Sequence, residues 1–135
     1  MADIRPVTDA LAVAPQLAPQ DMAEAAALGY RLVINNRPDG EQPGQPTAAV
    51  MQAAAEAAGL AYVHIPIFGG ATPPQLDEMA EAMAGAGGPT LAFCRSGTRS
   101  ITAWAVGRAL AGDDRAQLAA LAADAGYDLS GVLGV

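Results

Sequence analysis

Lysine is absent from this chain: all seven basic residues are arginine, set against fourteen carboxylates for a formal net charge of −7. A field of that sign repels nucleic-acid phosphates and anionic membranes, so neither is an expected partner. A small anionic substrate would need locally concentrated positive charge, and every positive side chain here carries a planar fork of donors suited to oxyanions. The single cysteine excludes an intramolecular disulfide. One histidine, His64, with one cysteine cannot make the usual ligand set of a zinc site, so no metal and no cofactor are expected. No apolar run approaches the roughly 20 residues that span a bilayer. The opening "MADIRPVTDA" lacks a basic stretch followed by a long apolar one, so the expected location is cytoplasmic. Aromatics are only 4% of the chain and alanine supplies much of its hydrophobic content, so the core should consist of closely spaced layers filled with small side chains.

What is present is regular punctuation. Hydrophobic runs alternate with alanine-rich helical segments that close on glycine, where a left-handed C-terminal residue is usual. A short strand near "LAVAPQ" opens the series, followed by a helix over 19–28 and a buried strand over 31–35. Thr47 caps a helix running to Ala58, and "LAYVHIPI" (60–67) is the next strand. A helix over 73–84, a strand in "GGPTLAFC", a helix over 99–111 and a last helix from Asp113 or Asp114 to Gly126 complete it. The tail "YDLSGVLGV" reads as a loose or docked end. The period predicts one α/β domain over 1–135, three-layered, with a central mostly parallel sheet and helices on both faces. Ligands bind such sheets beyond the carboxyl ends of the strands, an edge that here holds the loops 36–46, 68–74 and 94–99.

The last of these carries the sharpest chemistry. In "TLAFCRSGTRSITAW" a strand runs into Cys94, and a helix starts at Arg99. Strand, tight loop and helix N-terminus form a cup in which backbone N–H groups converge on an anion. Gly97 permits the positive φ that such a loop tends to require, Arg99 can clamp an oxyanion, and Ser100 can donate to the sulfur. Arg95, Ser96 and Thr98 complete the anion-binding set, with Cys94 at the lip. The setting favours a thiolate nucleophile, and an enzymatic reading needs that sulfur within reach of solvent. On the neighbouring loop, Arg37 is a candidate anion contact and Asp39 a candidate proton donor, with Glu41 as a second carboxylate in reach. His64 reads as a packed, hydrogen-bonded strand residue, and Ile101 and Trp104 as core.

"CRSGTRS" resembles the active-site loop of rhodanese-type sulfurtransferases, which have a cysteine, four residues and an arginine; tyrosine and dual-specificity phosphatases have five. Taken with "VINNRPDGEQPGQP" (33–46) and "HIPIFGG" (64–70), it is similar to the beta-lactamase hydrolase-like, phosphatase-like domain family, over roughly residues 5–111. That family is described both as tyrosine-phosphatase-like in fold and as a sulfur transferase family. The resemblance implies a protein-tyrosine-phosphatase-like fold around the cysteine loop.

Three functions follow. A cup one residue shorter has one fewer amide for three equatorial phosphoryl oxygens, which favours a sulfurtransferase working through a Cys94 persulfide, with a sulfane-sulfur donor and a thiol acceptor. A phosphatase acting on a phosphate ester is the alternative. It needs a general acid, and "IPIFGGATPPQ" has none, leaving Asp39 or Glu41. A non-catalytic anion or persulfide sensor would use the same cup.

Overall fold

The computed structural model describes residues 1–135. Its sheet has five strands: β1 (Arg5–Pro6), β2 (Leu11–Ala14), β3 (Leu32–Asn35), β4 (Ala61–His64) and β5 (Thr90–Phe93). In space they lie in the order β1-β2-β5-β3-β4, parallel throughout except for β1, which runs antiparallel to β2. β1 was not anticipated: two residues give too short a pattern for an alternation to be seen, and Pro6 is tolerated there because the strand lies at a sheet edge.

The helices divide between the two faces. α1 (Asp21–Ala27) and α2 (Ala48–Ala57) cover one, where Met22, Ala25, Met51 and Ala55 pack on Val33, Leu91 and Phe93. α3 (Pro73–Ala84), α4 (Thr98–Leu110), α5 (Arg115–Asp124) and α6 (Ser130–Leu133) cover the other, on Val13, Ile34 and Ala92. Successive residues of β2, β3 and β5 therefore point into two cores, which is why these strands read as unbroken apolar runs. The three-layer α/β expectation holds. Residues 127–133 are docked: Tyr127, Leu129 and Leu133 are buried against the larger core, and α6 is an additional helical turn. No helix is long and apolar enough to cross a membrane.

The topology places the site. β3 and β5 are neighbours, yet the chain leaves β3 for α2 on one face and leaves β5 for α4 on the other. The loops that follow them diverge at the carboxyl edge and open a crevice there, the usual ligand position in open α/β sheets.

Candidate active site

Cys94 follows β5 directly, and its sulfur turns into the loop that leads to α4. It has no exposed surface. The sulfur is thus the floor of the cup and not its lip, and the expectation that it lies within reach of solvent is not met in this conformation. One loop amide meets it directly: Gly97 N–H donates to Cys94 Sγ at 3.1 Å. Gly97 has φ +93°, and a Cβ there would overlap Tyr127 Oη and sit 3.0 Å from its Cζ and 3.3 Å from the Ala14 carbonyl. Only glycine combines that backbone angle with that close approach.

The loop keeps its remaining amides free. α2, α3 and α5 are capped by the side chains of Thr47, Thr72 and Asp114, whereas α4 has Gly97 at its N-cap and no side-chain acceptor. Thr98 N–H makes a long 3.4 Å bond to Ser96 Oγ, whose hydroxyl reaches Thr98 Oγ1 at 3.0 Å. The amides of Arg95, Ser96, Arg99 and Ser100 have no acceptor in the protein. Unpaired N–H groups at a helix start are the elements of an anion site. The loop is anchored behind them by Gln16 N–H, which donates to the Arg95 carbonyl at 3.1 Å.

Arg99 is held end-on by Glu41: Nη1 donates to Oε2 and Nη2 to Oε1, both at 2.8 Å, and Nη1 also reaches the Ile67 carbonyl at 2.9 Å. Three of its five N–H donors are thereby engaged, and the Nε edge is left. Glu41 raises the Arg99 pKa further, and so does the nearby Cys94 sulfur. Glu41 also accepts from Arg37 Nε at 2.9 Å. Between two guanidinium groups its carboxyl is held down to about 2, chiefly by Arg99 and next by Arg37, against some desolvation. It is a fixed anion at neutral pH and cannot serve as the proton donor considered from sequence.

Other expected roles change as well. Arg37 is 3% exposed, and its three donor nitrogens go to Glu41, to Gln16 Oε1 at 3.1 Å and to Gln42 Oε1 at 3.3 Å. It buttresses Glu41 instead of facing an anion. Asp39 is exposed and accepts from Ala48 N–H at 2.8 Å, a capping contact at the start of α2. Ser100 is fully buried with its hydroxyl unpartnered, and it makes no hydrogen bond to the sulfur. The Arg95 side chain is exposed. His64 behaves as expected: its Nε2 lies 2.8 Å from the Arg37 carbonyl, which fixes the proton on that nitrogen because a carbonyl only accepts.

Sequence reasoning missed Gln16, Asn35, Asn36 and Tyr127. Asn35 Oδ1 accepts Arg37 N–H at 2.9 Å, and Asn36 Nδ2 donates to the Ile65 carbonyl at 3.1 Å, so the pair fixes how the 36–46 loop leaves the sheet. Two asparagines ending an apolar strand were the available signal. Tyr127 Oη donates to the Ser96 carbonyl at 2.8 Å from a segment with no local signature. A cleft of about 330 Å³ beside the loop, lined by Gly69, Gly70, Ala71, Thr98, Arg99 and Val132 among others, offers room for the body of a substrate. A larger cleft of about 460 Å³ lies between α3 and α4, away from the sulfur.

Comparison with known proteins bears on the family and the fold. A beta-lactamase hydrolase-like protein of Agrobacterium fabrum is 39% identical over 107 residues, 78% of this chain and 25% of its own length. The chain spans between a quarter and a third of the curated relatives it matches. The crystal structure of nma1982, a phosphatase candidate from Neisseria meningitidis, superposes with a TM-score of 0.88 at 29% identity, covering 99% of this chain and 96% of that one. Tk-PTP in its active form shares the fold, with a TM-score of 0.73 at 21% identity over 93% of this chain and 86% of its own. The fold is tyrosine-phosphatase-like, and its cup is built on a cysteine. Residues 3–111 match the family model described as beta-lactamase hydrolase-like protein, phosphatase-like domain, and the chain belongs to that family.

Proposed function

We propose that this chain is a cysteine-dependent phosphatase that hydrolyses phosphate monoesters through a Cys94 phosphocysteine. The observation that carries the reading is the set of four amides, between Cys94 and the first turn of α4, that have no acceptor in the protein. With the free edge of Arg99 they amount to six N–H donors, two for each equatorial phosphoryl oxygen. The shorter loop is therefore not short of donors, which removes the argument that placed sulfur transfer first. In the reaction Sγ attacks phosphorus, the bond to the leaving oxygen breaks, and water then cleaves the P–S bond to release phosphate and restore the thiolate.

No carboxylic acid is available to protonate the leaving oxygen: Glu41 stays ionised, Asp39 is engaged at α2, and the loop between β4 and α3 has none. Substrates with acidic leaving groups are accordingly favoured, aryl over alkyl phosphates. An aryl phosphate such as p-nitrophenyl phosphate should give a burst of phenolate, suppressed by vanadate and lost in Cys94→Ser. Hydrolysis by wild type at the rate of Cys94→Ser would reject the proposal.

Sulfur transfer remains as a second reading on one observation, the missing proton donor, since the sulfinate released from a thiosulfonate leaves as an anion without an acid. A thiosulfonate should then add one sulfur atom to Cys94, detectable by mass and transferable to a thiol acceptor. Either chemistry requires the thiol reduced.

A further inference from the structure

We infer that Tyr127 is a positioning residue for the reacting sulfur and acts through a single peptide unit of the loop. The inference rests on Cys94 being the reacting group, and is indifferent to whether phosphorus or sulfur is transferred. Its basis is a chain of two hydrogen bonds that share one peptide plane. Tyr127 Oη donates to the Ser96 carbonyl at 2.8 Å, and the N–H of the same peptide, that of Gly97, donates to Cys94 Sγ at 3.1 Å.

In a trans peptide the C=O and N–H point in opposite directions, and the plane turns as one body. Holding the carbonyl outward therefore aims the N–H inward at the sulfur. A phenol on the carbonyl also polarises the amide, so the second bond is strengthened by the first. The ring is fixed independently: it is 8% exposed, Arg5 Cζ stands 5.2 Å from its centroid, and Gly97 leaves the room it occupies. Burial raises the Tyr127 pKa, with the Cys94 sulfur adding to the effect and Arg5 opposing it, so the phenol keeps its proton and donates at neutral pH. Tyr127 lies outside the residues matched by the family, 3–111. The cup is thus completed by a part of the chain that the family pattern does not include.

The test is Tyr127→Phe, which keeps the ring and removes the donor. Two readouts use the intact chain: the pH profile of iodoacetamide alkylation of Cys94, and the affinity for inorganic tungstate by calorimetry. Arg5, Asp3 and Arg99, the charged groups nearest the pair, are the same in both proteins, so a difference reports the hydroxyl. The expected result is an alkylation profile displaced to higher pH, with tungstate binding weakened about three- to tenfold, the worth of one hydrogen bond. A folded variant with an unchanged profile and unchanged tungstate affinity would overturn the inference, whatever its melting temperature. Should the variant not fold, the wild-type Tyr127 hydroxyl proton can be followed by nuclear magnetic resonance. It should exchange slowly and shift when tungstate binds, and a fast-exchanging, unresponsive proton would refute the role. Turnover of aryl phosphates or thiosulfonates tests the proposed reactions separately, so the two failures can be told apart.

Discussion

Glu41 holds Arg99 by its two terminal nitrogens, and a substitution there acts on an arginine that is itself unchanged. In Glu41→Gln the end-on pairing loses its charge, so Arg99 is no longer fixed over the cup. Loss of a charge-assisted bond should lower kcat/KM for an aryl phosphate roughly tenfold or more, measured by initial rates. The same residue has a pH signature. Its folded pKa of about 2 lies below the ordinary 4.5. Between those values the unfolded chain binds the proton and the folded chain does not, so stability rises with pH across that window. The contribution is fully present above about pH 4.5 and is lost as the pH falls toward 2. Thermal melts of Glu41→Gln should show a shallower decline than wild type over that range, and a decline just as steep would mean that another carboxylate carries it. The charges of this pair were legible in the sequence, but the pairing was not. Arg99 and Glu41 are 58 residues apart, and only the adjacency of β3 and β5 brings their loops together.

At the scale of elements, α4 differs from its neighbours in how it begins. Gly97 supplies a left-handed N-cap without a side chain, which leaves amides for an anion, whereas Thr47 and Thr72 cap α2 and α3 from within. Gly97→Ala should cost ~1–2 kcal/mol for the left-handed angle alone, and more because the new Cβ must displace Tyr127. Denaturant unfolding measures the loss, and weakened tungstate binding should accompany it. On α2 the expectation is the reverse. Asp39 contributes a contact to the first helical amide, so Asp39→Ala should cost ~1 kcal/mol of stability and leave hydrolysis near the wild-type rate. A collapse of kcat would instead restore Asp39 as the acid. These helices were readable because capping threonines, interior alanines and terminal glycines act within a few residues of one another. The burial of Cys94 was less so, because it depends on what packs over the loop.

For the molecule as a whole, the family match ends at residue 111 while the fold does not. Leu118, Tyr127, Leu129 and Leu133 are each buried in the larger core. At ~2 kcal/mol per side chain they approach the whole net stability of a domain, roughly 5–15 kcal/mol. A chain ending at residue 111 should therefore lose its cooperative unfolding transition in denaturant, and an intact transition with an unchanged midpoint would show that α5 and α6 merely decorate the core. The sequence by itself determined the alternation of strands and helices, the layered α/β class and the position of the cysteine loop. All three depend on local rules: hydrophobic period, capping and the conformational freedom of glycine. Tertiary structure decided the strand order, the burial of the sulfur, the pairing of Arg99 with Glu41 and the seat of Tyr127 behind the loop. Each of those is a contact between residues distant along the chain, and such contacts are selected by packing the whole sheet rather than by anything written within one segment.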